Sequence, residues 1–131
     1  MVAGRRVRLL LDTHVLLDLF TAPREFSAAV LATIRDPETH VAVSAASVWE
    51  IEIKRKQGRL TAPPDVMRRI RIAGFSQLAI SSQHAVAAAR LPLHHRDPFD
   101  RMLVAQAQLE GLTIVTSDRE IPKYQVAVLP A

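Results

Sequence analysis

Cysteine is absent from the 131-residue sequence, which excludes a disulfide framework, a zinc site built on thiolates and a cysteine nucleophile. Long apolar runs are also absent, and no stretch approaches the roughly 18 residues of a membrane-spanning helix. The arginines before the first apolar run superficially resemble a signal peptide, but Asp12 interrupts that run too early. We therefore expect a cytoplasmic protein that has no contact with a membrane.

Aromatic residues are scarce, with one Trp, one Tyr and four Phe in the whole chain. A sheet that stacks several bases on aromatic rings, as in some RNA-binding proteins, is therefore not expected. We expect Trp49 to fill the core beside Glu50 rather than to stack on a base.

Length and apolar patterning predict one α/β domain. A chain of 131 residues with 49% hydrophobic content fits a single domain. The unbroken run Leu9–Leu11 is typical of a strand covered on both faces, as in a parallel sheet. Predicted strands alternate with helical patterns, which favours a mainly parallel sheet of four to five strands with helices on both faces. The predicted strands are 7–11, 41–43, 77–80, 112–115 and 125–129.

Carboxylates follow two of these strands. Asp12 and Asp118 each stand at a strand's carboxyl end, so a parallel sheet brings them to the edge where ligands bind. Asp100 lies in the first turn of the helix before the Asp118 strand, and Glu50 lies in the helix after the second strand. Carboxylates in one cleft repel one another unless a cation lies between them. All-oxygen ligands favour Mg²⁺ or Mn²⁺.

Each of these acids also has an ordinary structural explanation. Asp97 and Asp100 suit the start of a helix, where they cap free backbone N–H groups. Asp118 suits a turn. Glu50 and Glu52 each have a lysine four residues further on, so spacing alone does not choose between them.

Four stretches resemble, in order, the motifs of PIN-domain ribonucleases, and more narrowly those of the VapC toxins of type II toxin–antitoxin pairs. They are 9–14 (LLLDTH), 44–51 (SAASVWEI), 95–107 (HRDPFDRMLVAQA) and 114–118 (IVTSD). The resemblance implies a PIN-like three-layer sandwich, with residues 1–131 forming one nuclease domain. It also implies Mg²⁺- or Mn²⁺-dependent cleavage of RNA, inhibition by a cognate antitoxin and a homodimer. Contact with DNA would be only indirect, through the antitoxin.

The resemblance also implies which residues form the site. Its catalytic acidic quartet falls on Asp12, Glu50, Asp100 and Asp118. Of these, the three aspartates would hold the metal. Thr13, and either Thr116 or Ser117, could orient a carboxylate or a metal-bound water, although capping and turn hydrogen bonds explain these hydroxyls equally well. We expect Asp97 mainly to cap the helix that carries Asp100.

Basic residues outnumber acidic ones by 17 to 13, a surplus that attracts phosphate backbones and acidic protein partners. Any one basic side chain, taken alone, fits a solvated helix face better than an RNA contact. We expect His94 and His95 to be loop residues without a role, because adjacent histidines rarely point at one ion. The candidate RNA-binding residues are Arg5, Arg6, Lys54, Arg55, Arg68 and Arg69.

Three other functions stay open. A phosphoacceptor receiver domain also has an α/β fold with an aspartate cleft. It would need paired acids at the end of the first strand, where this chain has Asp12 followed by Thr13, and an acceptor aspartate on the third strand, which ends in serine. A PIN nuclease that processes RNA without an antitoxin is the second alternative. A non-catalytic binding protein of the same fold is the third.

Overall fold

A computed structural model of the chain describes residues 6–131, so Arg5 lies outside the described residues. Strands and helices alternate along this part of the chain, with short 3₁₀ turns at Pro23–Glu25 and Ile121–Lys123. The strands are β1 (Arg8–Leu11), β2 (His40–Ser44), β3 (Ser76–Leu78), β4 (Thr113–Thr116) and β5 (Val128–Pro130). The helices are α1 (Thr13–Thr21), α2 (Ala28–Arg35), α3 (Ala45–Lys56), α4 (Val66–Ile72), α5 (Ser82–Arg90) and α6 (Pro98–Glu110).

The five strands form one sheet in the order β3-β2-β1-β4-β5, and every neighbouring pair is parallel. β1 lies at the centre of the sheet. Successive side chains of a strand point to opposite faces, and helices cover both faces of β1, so its apolar residues are buried on both sides. Leu9 and Leu11 pack on the side covered by α1 to α4, and Leu10 packs on the side of α6. α5 in turn contacts α6. The expected three-layer architecture with a parallel sheet is confirmed.

The two edge strands differ slightly from their predicted bounds. β3 spans 76–78 rather than 77–80, since it pairs only with the last three residues of β2. β5 spans 128–130 rather than 125–129, and it includes Pro130 opposite Thr116. Proline is tolerated there because an edge strand has one side without a partner. Short edge strands have weak hydrophobic patterns in the sequence, so their bounds are hard to predict. In the structure, these bounds depend on the neighbouring strand with which each one pairs.

Parallel register brings the carboxyl ends of β1 and β4 side by side. Leu11 is paired with Val115, and the backbone N–H of Asp12 donates to the carbonyl of Val115 at 3.0 Å. Asp12 therefore lies beside Thr116, and Asp118 follows Thr116 by two residues along the chain. Across residues 6–131, none of the helices is both long enough and apolar enough to span a bilayer.

Candidate active site

Asp12 is a buried helix cap that also lies in the cleft. Its Oδ1 accepts from the backbone N–H of His14 at 3.0 Å, and its Oδ2 accepts from Thr116 Oγ1 at 2.5 Å. The side chain is 3% exposed. Burial raises the pKa of Asp12, while the hydrogen bonds from Thr116 and His14 act in the opposite direction. The capping and functional interpretations of this residue are therefore compatible.

His95 joins two of the predicted acids. Its Nε2 lies 2.9 Å from Asp118 Oδ2 and 3.0 Å from Asp100 Oδ2. One ligand atom from each of these three side chains lies within 4.8 Å of the others, a spacing that suits a single metal ion. His95, which we expected to be a loop residue without a role, is instead in contact with two of the predicted acids. His94 instead packs its ring edge-on against Tyr124, with centroids 5.0 Å apart.

The loop before α6 is held so that His95 faces the cluster. Tyr124 Oη accepts from the backbone N–H of His95 at 2.9 Å and donates to the carbonyl of Pro92 at 2.7 Å. The Arg101 guanidinium donates to the carbonyls of Pro92 and Leu91, both at 2.9 Å. His95 Nδ1 accepts from the N–H of Asp97 at 3.1 Å, which directs Nε2 at the carboxylates. No local sequence pattern predicts this placement, because it depends on Tyr124, which is 29 residues away along the chain.

Asp97 begins α6 and positions Asp100. Its Oδ1 accepts from the backbone N–H groups of Phe99 at 2.8 Å and Asp100 at 3.4 Å, as predicted for a cap. Burial and the neighbouring negative charges of Asp12 and Asp97 together raise the pKa of Asp100 to about 7, with burial the largest cause. Asp100 is therefore a carboxyl whose ionised form needs a positive charge nearby.

His95 supplies part of that positive charge. Burial by itself would lower the pKa of His95, but the hydrogen bond to Asp118 and the charge of Asp100 raise it overall. For Asp118, burial opposes ionisation, yet the hydrogen bonds from His95 and from the backbone N–H of Glu120 lower its pKa. The three groups thus form a mixed-charge cluster, in which the protonated form of His95 offsets the negative charge of Asp100 and Asp118.

Glu50 points into the cleft from α3, whereas Glu52 does not. Glu50 is 3% exposed, and its Oε2 lies 2.5 Å from Lys54 Nζ. Its other oxygen, Oε1, is buried without a hydrogen-bond partner. Glu52 is exposed and pairs with Arg55 at 2.8 Å. The orphaned Oε1 is a buried, unpartnered acceptor beside the cleft, which a cation or a ligand donor would satisfy.

The predicted supporting hydroxyls have different surroundings. Thr116 Oγ1 donates to Asp12 and accepts from the backbone N–H of Asp118 at 2.9 Å, so it links two of the acids. Ser117 is exposed, which leaves Thr116 as the hydroxyl in contact with a carboxylate. Thr13 is buried and donates to Ser47 Oγ at 2.9 Å, joining α1 to α3.

Comparison with family models matches residues 9–127 of this chain to the PIN domain. The chain belongs to the PIN domain family. Members of this family are nucleases. No curated protein sequence matches the chain closely enough to count as a relative.

Several solved structures share the PIN fold. A toxin–antitoxin complex from Klebsiella pneumoniae is 24% identical with a TM-score of 0.66, and the match covers 92% of this chain and 95% of that one. DNA-bound VapBC from Salmonella typhimurium is 17% identical with a TM-score of 0.67, covering 95% and 98%. FitAcB from Neisseria gonorrhoeae is 23% identical with a TM-score of 0.62, covering 92% and 96%. At these identities the similarity shows a common fold.

The candidate RNA-binding residues of this PIN domain differ in their distance from the cluster. Arg6 precedes β1 at the opposite, amino-terminal edge, where its Nε donates to the carbonyl of Glu38 at 3.0 Å. Lys54 is bound to Glu50 at the cleft itself. Arg55 donates to the carbonyl of Pro63 as well as to Glu52. Lys54 is thus beside the acids, whereas Arg6 is remote from them.

The remaining described candidates are on α4. Arg68 and Arg69 are both exposed, and Arg69 Nε pairs with Asp65 at 3.0 Å. Their neighbour Met67 lines the same groove as Trp49. α4 therefore contributes to the groove beside α3 through Met67, and its two arginines face solvent.

Trp49 lies on the surface of the PIN domain, so the expectation that it fills the core is wrong. The side chain is 60% exposed. In α3 the buried positions are Ala46, Ser47, Glu50 and Ile51, and each helical residue is rotated about 100° from the one before. Once Glu50 faces inward, Trp49 is turned to the rim. There its ring meets Phe99 edge-on, with centroids 5.4 Å apart and planes at 74°.

Proposed function

We propose that this PIN domain, spanning residues 1–131, is a metal-dependent endoribonuclease that hydrolyses RNA phosphodiester bonds. The observation that carries the proposal is the convergence of His95, Asp100 and Asp118 within 4.8 Å of one another. Asp12 is joined to this group through Thr116, and Glu50 adds a buried acceptor. Such a set of acids at the carboxyl edge of a parallel sheet suits phosphoryl chemistry better than a purely structural role.

The donor set fits Mg²⁺ or Mn²⁺. Asp12, Asp100 and Asp118 would hold the ion directly or through water, with His95 as a nitrogen neighbour. Two features of the structure support this fit: the raised pKa of Asp100, which reflects buried carboxylates close together, and the unpartnered Oε1 of Glu50. When bound, the cation would activate a water and offset negative charge on the scissile phosphate.

The protein's own side chains have distinct tasks in this proposal. Glu50 would contribute a ligand or orient the attacking water, while Lys54 on Oε2 keeps the carboxylate in place. Thr116 fixes the spacing of Asp12 and Asp118 by hydrogen bonds to both. His95 holds Asp100 and Asp118 at one point of the cleft.

A nuclease assay with matched variants tests the activity. Labelled single-stranded RNA should be cut internally by the wild-type protein in Mg²⁺ or Mn²⁺ and left intact in EDTA. Asp12→Asn and Asp100→Asn keep the side-chain size but remove a charged ligand, so both should reduce cleavage to background. Asp18→Asn changes an exposed acid on α1 and should cleave like the wild type. Cleavage in EDTA, or an active Asp12→Asn protein, would contradict the proposal.

We also propose that the protein is the toxin of a toxin–antitoxin pair, acting in the cytoplasm as a homodimer. Structures similar to this chain are described as toxin–antitoxin complexes, and several of the similar structures are bound to DNA. The partner would be a cognate antitoxin, and DNA contact would occur only through it.

Expression in growing cells tests this role separately from catalysis. Induction should stop growth, and co-expression of an adjacent small reading frame should restore it and yield a co-purifying complex. Active nuclease without growth arrest would instead indicate an RNA-processing enzyme without an antitoxin.

A further inference from the structure

Trp49 and Phe99 form an exposed aromatic pair at the rim of the cleft. Trp49 is 60% exposed and Phe99 is half-buried. Their edge-on contact at 5.4 Å steadies the indole while leaving much of its surface open. A large exposed aromatic side chain in a protein with only six aromatic residues is a candidate for binding rather than for packing.

The pair is adjacent to the acids on both of its helices. Trp49 immediately precedes Glu50 on α3, and Phe99 immediately precedes Asp100 on α6. The contact between the two rings therefore bridges the same helices that bring the two carboxylates to the cleft. A group bound on the indole would lie next to the metal-binding cluster.

The surface around the indole of Trp49 suits a nucleotide, which has a flat base and a negatively charged phosphate. An apolar groove of about 350 Å³ runs from Trp49 along Val48, Met67 and Leu78. On the cleft side lie Glu50 and the Lys54 ammonium, whose pKa is raised mainly by its hydrogen bond to Glu50. Apolar surface on one side and a cation-binding cleft on the other match a nucleobase and its phosphate.

We propose that Trp49, supported by Phe99, is a stacking platform for one unpaired base of the RNA substrate. This inference rests on the proposed ribonuclease function. A base on the indole would hold the neighbouring phosphodiester beside Glu50 and Asp100. Because every base has a π-face, the platform tolerates different sequences. It requires an unstacked base, so it favours single-stranded RNA over duplex.

The fluorescence of Trp49, the single tryptophan, reports directly on this contact. The probe is a short single-stranded RNA, added with Ca²⁺ in place of Mg²⁺ under conditions where a gel shows no cleavage. We expect saturable quenching by this RNA. A fully paired duplex of the same sequence, or an abasic ribose-phosphate chain of the same length, should quench far less. Equal quenching by the abasic chain would overturn the proposal.

Variants test the energetic contribution. Trp49→Ala should weaken binding of the RNA by about 5- to 150-fold, the range measured for loss of one base–aromatic stack, whereas Trp49→Phe should retain part of the affinity. Leu109→Ala removes another exposed apolar side chain from the far end of α6 and should bind like the wild type. Thermal unfolding of each variant verifies that it is folded.

The outcomes separate this inference from the function on which it rests. A wild-type protein that cleaves RNA, together with a folded Trp49→Ala variant of unchanged affinity, would overturn the platform alone. A wild-type protein that neither binds nor cleaves RNA would overturn the proposed function and the platform with it. A fluorescence change that follows protein concentration in the absence of RNA would assign Trp49 to a contact between copies of the chain and would also overturn the platform.

Discussion

Asp100 is a carboxyl that folding places in unfavourable surroundings. It is largely buried, and Asp12, Asp97 and Glu50 all add negative potential at its position. Within residues 6–131, the basic side chain paired with Asp100 is His95, whose Nε2 lies 3.0 Å from Oδ2. A residue of this kind lowers the stability of the metal-free protein and prepares the site for a cation.

We predict that the metal-free protein becomes less stable as the pH rises from about 4 to about 7. The pKa of Asp100 is raised from 3.8 to about 7 on folding, so the folded state binds more protons than the unfolded state in this range. The pKa of His95 is also raised, so its stabilisation is lost as the pH rises through the folded value. Asp118, with its lowered pKa, acts only in more acidic solution. Chemical denaturation in EDTA at pH 5 and pH 8 measures the difference.

Asp100→Asn is the matched variant for this prediction. In EDTA at pH 8 it should raise the free energy of unfolding by about 1–2 kcal/mol, because a buried charge is removed. It should also flatten the pH dependence and abolish stabilisation by Mg²⁺ or Mn²⁺. An unchanged slope between pH 5 and pH 8 would show that Asp100 does not titrate in this range.

At the scale of elements, the start of α6 has two tasks. Asp97 caps the helix and, through its backbone N–H, orients His95. Ser27 caps α2 in a comparable way, accepting from the N–H of Val30 at 3.2 Å. α2 is outside the cleft. A variant that removes its cap should therefore affect the stability of a helix without affecting the geometry of the site.

We predict that Asp97→Ala and Ser27→Ala each lower the free energy of unfolding by about 1 kcal/mol. Only Asp97→Ala should also weaken Mn²⁺ binding, by about 10-fold or more, because the helix start that carries Asp100 loses its side-chain cap. Asp97→Asn keeps a good cap and should retain most of both properties. Denaturation and isothermal titration with Mn²⁺ measure the two effects. Equal losses of Mn²⁺ affinity in the Ala variants at positions 27 and 97 would contradict this interpretation.

At the scale of the whole molecule, the candidate RNA-binding residues lie on different sides of the sheet. Lys54 and the exposed Arg68 lie on the side of α3 and α4, where Met67 and Trp49 line one groove. Arg6 lies at the opposite edge of the sheet, beside Glu38. RNA that reaches the acids across α3 would pass the first group and not the second.

We predict that RNA binding weakens steeply with salt, with a log–log slope of about 0.7 per phosphate contact for a single strand. Arg68→Ala should reduce the magnitude of that slope by about 0.7, the value of one phosphate contact. Arg6→Ala should leave the slope unchanged. Binding titrations at several salt concentrations measure the slopes. A smaller slope in the Arg6→Ala protein, with a wild-type slope in Arg68→Ala, would place the RNA on the other side of the molecule.

Local patterns in the sequence determined the layers, most helix starts and the position of the acids along the chain. The apolar run Leu9–Leu11 predicts a strand buried on both faces, and it is the central strand. Asp97 followed by Pro98 predicts the start of α6, and Gly111, with φ of 67°, ends that helix as expected. These features depend on neighbours within a few residues, which is why they can be recognised without the fold.

Only the tertiary structure decided which side chains meet. His95 enters the cluster because Tyr124, 29 residues away, binds its backbone N–H, and no local pattern encodes that contact. Glu50 rather than Glu52 faces the cleft, and Trp49 lies at the rim, because the packing of α3 against the sheet sets the rotation of the helix. Helix periodicity gives the relative angles of residues 49, 50 and 52, but the direction of the cleft is a property of the assembled sheet.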